Sequence, residues 1–382
     1  MTERVVTAPV IVAGDRVLRP GWMRLRDGWI LQVGQGAPSG RDAARSDLAG
    51  TVVPGFVDLH VHGGGGASYT DGRADKVAQA ARFHLAHGTT TTLTSTVSTA
   101  PDALVQTVGR LADMAEAGIS AGIHLEGPWI SPQYCGAHDP RVLRDPDRAE
   151  IDRVLAAGRG TIAMVTLAPE LPGALEAVRR LTSAGVLVAV GHTAASYTQT
   201  VEAVGLGARV ATHLFNAMAP LHHREPGPVA ALLEDPQVLI EVVGDGVHLH
   251  PALVRQIQAS VGFRRIALVT DAMAAAGMGD GDFRLGGLDV QVRDGVARLR
   301  DGGAIAGSTA TMGQLFRSAA HSLRTADATL LDPVLIGLTE MTAGNQARVL
   351  RRTDIGVLEP GRRADFVVLD DDFQVTRVHR VC

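Results

Sequence analysis

Apolar and polar positions along this chain follow two rhythms. Residues 1–50 carry short apolar runs, VIVAGDRVL and then WMRLRDGWILQVG, broken by turn residues. Such runs predict antiparallel strands joined by Asp-Gly turns. Residues 353–382, DIGVLEPGRRADFVVLDDDFQVTRVHRV after the first Thr, have the same character. The two ends together predict one small β-sandwich domain, 1–50 with 353–382. Between them, over 51–352, longer apolar runs alternate with stretches of helical spacing. The runs are VVPGFVDLHVH (52–62), TTTLTST (90–96), GISAGIHLEG (118–127), TIAMVTLAPE (161–170), VLVAVGHT (186–193), ARVATHLF (208–215), VLIEVVGDGVH (238–248) and RIALVTDAM (265–273). Runs with polar residues mainly at their ends suit a parallel sheet buried on both faces. Helical candidates such as 74–88 and 173–185 lie between them, each ended by Gly. Eight strand–helix units predict a (β/α)8 TIM barrel. A further stretch, 283–308, reads as a β-hairpin inserted after the last strand.

Composition narrows this further. The chain has 382 residues, 46% hydrophobic and 20% charged, which supports a large core and argues against disorder. Net charge is -4, with no basic block, so no nucleic-acid partner is expected. The N-terminal residues lack the charged head, apolar run and small-residue cleavage site of a signal peptide. No uncharged apolar run reaches ~18 residues, so no membrane span is expected. Two cysteines, Cys135 and Cys382, are too few for a disulfide framework. The expected location is cytoplasmic.

The chemistry-bearing residues gather at the C-terminal ends of the runs, where a parallel barrel places its active site. They are His60 and His62, Glu126, His192, His213, His248 and Asp271. His60 and His62 alternate along a strand and point to the same side. Two neutral imidazoles on one face suit Zn²⁺ or another first-row metal. Singly, each residue also has an ordinary structural reading: solvated loop histidines, a carboxylate capping the next helix, buried hydrogen-bonded histidines, an N-cap aspartate. Their convergence at the ends of six strands points to a metal site.

At this point the motifs resemble a known family. DLHVHG after PGF resembles the first strand of the amidohydrolase superfamily. HLEGPWI, TLAPE, GHT, THLFNAM, DGVH, VTDAM and AGST together resemble the N-acetylglucosamine-6-phosphate deacetylases. The resemblance spans essentially the whole chain. Some superfamily members bridge two metals with a carboxylated lysine on the fourth strand. Here Lys76 is the only lysine and lies in the first predicted helix; in the deacetylases a third-strand glutamate takes that place, and Glu126 matches it.

The resemblance implies the following roles. Glu126, His192 and His213 hold the principal divalent metal, and His60 with His62 can hold a second, giving one or two ions per subunit. Zn²⁺ is the simplest identity, with Fe²⁺ or another first-row metal as alternatives. Asp271 is the acid–base catalyst and His138 polarises the carbonyl. Ala137, Asn216, Ala217, Arg224, His248, Ile305, Ala306 and Gly307 contact the substrate, Arg224 and His248 through its phosphate. The implied reaction is deacetylation of N-acetyl-D-glucosamine 6-phosphate by metal-activated water, in amino-sugar catabolism and cell-wall recycling. The implied assembly is a homodimer with Arg224 reaching the neighbouring subunit's site. Cys135 lies on the same predicted lid as His138, without a catalytic assignment. No motif separates the gluco from the galacto substrate. A non-catalytic sugar-phosphate binder on the same barrel would be expected to have lost Asp271 or a metal ligand, and all are present.

Overall fold

The computed structural model describes residues 3–38, 44–324 and 332–381; Cys382 lies outside them. The barrel strands are β1 (Phe56–Asp58), β2 (Thr89–Thr92 continued by Thr94–Thr96), β3 (Ile123–Glu126), β4 (Ile162–Leu167), β5 (Leu187–Val190), β6 (Ala208–Ala211), β7 (Leu239–Val242) and β8 (Ile266–Leu268). All neighbours pair in parallel and in chain order. Asp271 N donates to His60 O at 2.8 Å and His62 N to Ala272 O at 2.8 Å, joining the extension of the last strand to the first. The result is a TIM-like barrel. The strands are almost wholly buried, as their apolar composition requires. Helices follow as spaced in the sequence, Ala74–Ala86 and Ala174–Ser183 among them.

Two local readings are corrected. The run 52–62 is split: Thr51–Pro54 pairs with Phe366–Leu369 and Val10–Ala13 in a terminal sheet, and only Phe56–Asp58 enters the barrel. Pro54 lacks the N–H a continuous central strand needs, and Gly55 crosses so close to Thr90 that a Cβ would sit 2.3 Å from its hydroxyl oxygen. The insert is a three-stranded antiparallel sheet, Gly281–Leu285, Leu288–Arg293 and Val296–Leu299, rather than a hairpin. Its Asp294-Gly295 turn has φ of 51° and 73°, the positive pair of a type I′ hairpin.

The chain ends form two sheets. One orders Trp29–Gln35, Gly21–Arg26, Glu3–Ala8 and Ala44–Asp47; the other orders Val375–His379, Phe366–Leu369, Thr51–Pro54, Val10–Ala13 and Arg16–Leu18. Val6, Met23, Leu25 and Ile30 from the first share an apolar cluster with Ile11, Leu18, Val52 and Phe366 from the second. The expected Asp-Gly turn is present at Asp27-Gly28, with φ of 49° and 86°. Among the described residues, no helix is long and apolar enough to cross a membrane.

Candidate active site and metal centre

At the C-terminal ends of the strands the chain builds two triads of donor atoms, Glu126 with His192 and His213, and His60 with His62 and Asp271. All six residues are buried. Glu126 belongs to both surroundings. Its Oε1 lies 3.0 Å from His192 Nε2 and 2.9 Å from His213 Nε2, and its Oε2 lies 3.1 Å from His62 Nε2. Asp271 Oδ1 lies 3.2 Å from His62 Nε2 and 3.5 Å from His60 Nε2. The sequence placed Asp271 as an acid–base group; the structure also makes it a candidate ligand.

Backbone strain accompanies this convergence. His192, His213 and Asp271 have φ of 48°, 27° and 48°, where residues other than glycine are uncommon. Such conformations persist only when surrounding contacts impose them. For His192 those contacts are visible: Ser131 N donates to its carbonyl at 2.9 Å, and Glu170 Oε1 accepts from Ala194 N at 2.6 Å. Gly136 packs against the imidazole edge, and a Cβ there would stand 3.1 Å from His192 Cε1.

The donor atoms fit a cation. His192 Nδ1–H donates to Tyr134 O at 2.9 Å, leaving Nε2 as a bare lone pair aimed inward. His60 Nδ1–H similarly faces Glu241 Oε2 at 3.3 Å. Yet His192 and His213 present Nε2 atoms 3.1 Å apart, and so do His60 and His62. Facing lone pairs repel at that distance unless a proton or metal lies between them. The separations approach the edge of about 3.3 Å expected for tetrahedral ligands at 2.0–2.1 Å from zinc. The same field acts on protons. Burial opposes charge on His60 and His62, but Glu126 and Asp271 outweigh it and push both pKa values up. Burial likewise opposes charge on Glu126 and Asp271, but the imidazoles hold both below the usual carboxylate range.

His138 is buried. Its Nδ1 accepts from Ser98 N at 3.1 Å, so in the neutral ring the proton sits on Nε2, 3.3 Å from Glu126 Oε2. Burial outweighs the attraction of Glu126 and lowers its pKa to about 4. A neutral ring with an inward N–H results. A cleft of about 350 Å³ opens above these groups. His62, Glu126, His138, His192, His213, Asp271, Ala137, Asn216, Ala217, His248, Ile305 and Gly307 all line it. Gly307 approaches the Asp271 carbonyl so closely that a Cβ would stand 2.8 Å from that oxygen.

Three expected residues sit elsewhere. His60 lies beneath the cleft floor, and Ala306 is buried in the insert's apolar cluster. Arg224 is exposed, bonded to His223 at 2.8 Å, and does not line the cleft of its own chain. His248 does line the cleft; it bonds to Asp245 at 2.8 Å, and its Nε2 lies 3.7 Å from Asp271 Oδ2. Gln133, Tyr134, Gly136, Leu285 and Ala304 also line the cleft without having stood out in the sequence. Glu241, Asp58 and His124, fully buried polar residues within the barrel strands and outside the cleft lining, had not stood out either. Their only sequence signal was a polar residue inside an apolar run.

The comparisons with known proteins agree with this geometry. The sequence pattern described as "Amidohydrolase family" matches residues 51–380. The chain belongs to the amidohydrolase family. A Mycobacterium smegmatis N-acetyl-D-glucosamine-6-phosphate deacetylase, solved as a mutant in complex with N-acetyl-D-glucosamine-6-phosphate, is 48% identical with a TM-score of 0.95. The match covers 100% of this chain and 98% of that one. An N-acetylgalactosamine-6-phosphate deacetylase of Escherichia coli O157:H7 is 35% identical over 97% of each chain. An N-acetylglucosamine-6-phosphate deacetylase of Lysinibacillus sphaericus is 33% identical over 92% of this chain and 89% of its own. Within the amidohydrolases, this chain is therefore one of the amino-sugar-phosphate deacetylases and a metal-dependent hydrolase of amide bonds.

Proposed function

We propose that this enzyme hydrolyses the acetamide of N-acetyl-D-glucosamine 6-phosphate, releasing acetate and D-glucosamine 6-phosphate. The observation that carries the reading is the meeting of two metal-suited triads, a proton-bearing His138 Nε2 and the Asp271 carboxylate in one cleft. Glu126, His192 and His213 would hold the principal divalent ion, and His60, His62 and Asp271 a second; Zn²⁺ suits this nitrogen and oxygen set best. Such an ion supplies Lewis acidity and lowers the pKa of a coordinated water towards about 7.

The side chains account for the rest. His138 Nε2–H donates to the acetyl oxygen as negative charge builds there. Asp271, kept ionised by the imidazoles around it, accepts the proton of the attacking water. As the C–N bond breaks, the same carboxyl returns that proton to the departing nitrogen. Ala137, Asn216, Ala217, Ile305 and Gly307 would flank the sugar, with the Ala306 backbone in the same turn. His248 would reach the phosphate within its own subunit.

Arg224 would serve the partner subunit of a homodimer. Its exposure and its absence from its own cleft support that reading, as does Leu221 beside it, 55% exposed. The two terminal sheets, 1–50 with 353–382, would form one β-sandwich domain beside a hydrolase domain spanning 51–352, and the enzyme would work in the cytoplasm. A galacto-configured substrate is the second reading, favoured by the Escherichia coli relative. Metal analysis, combined with acetate release from N-acetylhexosamines with and without the 6-phosphate, tests the metal and substrate assignments. Turnover of the gluco phosphate below that of the galacto phosphate would move the assignment, and equal turnover without phosphate would remove the phosphate-binding roles. Stripping the metal with a chelator should abolish acetate release, and Zn²⁺ should restore it.

A further inference from the structure

We propose that Glu241 ties the two donor triads together, so that one buried carboxylate sets the metal affinity of both. Glu241 projects from β7 and is fully buried. Its Oε2 accepts from two donors, each 3.3 Å away: the His60 Nδ1–H and the His213 backbone N–H. His60 belongs to one triad and His213 to the other. A single oxygen therefore fixes the ring orientation of a ligand in the second site and the backbone of a ligand in the first.

Each tether holds a candidate ligand. His213 has a φ of 27°, and its ring Nδ1 has no hydrogen-bond partner, so its backbone N–H is its anchor on the side away from the donor cluster. For His60, the bond to Glu241 keeps the proton on Nδ1 and leaves Nε2 free as a ligand. Glu241 Oε1 is buried and also without a hydrogen-bond partner. A half-satisfied buried carboxylate is costly, and cations held above it would offset that cost through space. Glu126 touches both triads directly, but as a ligand; Glu241 acts through other residues and is a positioning residue.

This inference rests on the metal reading, and its test separates the two. Apo-protein would be titrated with Co²⁺, following heat and the visible ligand-field absorption of each bound ion. Wild type should take two ions. Glu241→Gln, nearly isosteric, keeps one accepting oxygen but loses the negative charge that strengthens both bonds, and should weaken both binding steps by about 10–100-fold, the usual effect of altering a residue that orients metal ligands. His60→Ala should weaken only one step. A Glu241→Gln protein that binds both ions normally, or is weakened at one site alone, would overturn the coupling. A wild type that takes a single ion would overturn it too, whereas a wild type that takes none would instead sink the metal reading. Should Glu241→Gln fail to fold, Glu241→Asp shortens the reach by one methylene and makes the same comparison.

Discussion

Asp271 performs two tasks with different atoms. Its backbone N–H closes the barrel onto His60 O, while its carboxylate faces His62 and the cleft. Asp271→Asn leaves the backbone bond in place, keeps one carboxamide oxygen towards His60 and His62, and removes the proton shuttle. It should keep the fold while lowering kcat by about 10²–10⁴; circular dichroism with acetate-release kinetics checks this, and near-normal turnover would assign the proton to another group. His138 offers a companion test. Because Ser98 holds its proton on Nε2, His138→Gln should slow the chemical step with little change in KM, read by single-turnover assays. At this scale the sequence was legible wherever a polar residue ended an apolar run: Glu126, His192, His213 and Asp271 all did. It was silent on Glu241, Asp58 and His124, because polar residues inside a buried strand break the very pattern used to find strands.

At the scale of elements, the helix Ala74–Ala86 is tied to the loop after β1 by His84, whose Nε2–H donates to Gly63 O at 2.8 Å. Burial depresses the His84 pKa to about 4, with a smaller opposing effect from that bond. The unfolded chain then binds a proton near pH 6.5 that the folded chain refuses until about pH 4. Stability from this site is full above pH 6.5 and falls as pH drops towards 4, by roughly 2–4 kcal/mol at 1.36 kcal/mol per pKa unit. Urea unfolding at pH 7 and pH 4.5 should show a smaller loss for His84→Gln than for wild type; equal losses would exonerate His84. Strand and helix order was legible because uninterrupted apolar runs and period-3.6 patterns differ. The break at Pro54-Gly55 was not, since both halves of 52–62 are equally apolar and only their partners distinguish them. Three strands in the insert escaped notice because Gly286-Gly287 and Asp294-Gly295 each make a turn, where one had been expected.

On the scale of the whole molecule, Arg224 gives the decisive experiment. A charge-assisted bond to phosphate contributes roughly 1.5–3 kcal/mol, so Arg224→Ala should lower kcat/KM for the phosphorylated substrate by about 10–150-fold. Mixing Arg224→Ala subunits with Asp271→Asn subunits would regenerate one intact site if Arg224 works across a dimer. Recovered activity supports that arrangement, and no recovery in subunits shown to exchange would return Arg224 to its own chain or remove it from the mechanism. Nothing in a single chain's hydrophobic pattern could have specified this, because an exposed arginine has the same sequence signature whether or not a neighbour covers it.

The seam of the barrel also has a consequence for how the enzyme is made. Glu126, His192 and His213 come from β3, β5 and β6, whereas His60 and His62 wait for Asp271 and the closing bonds from residues 271 and 272 back to 60 and 62. Phe366–Leu369 must then arrive to pair with Thr51–Pro54. Chains emerge N-terminus first, so a ribosome that has delivered the first triad has not yet delivered the means to complete the second. A product terminated before residue 271 would therefore lack one donor of the second triad and the bonds that close the barrel.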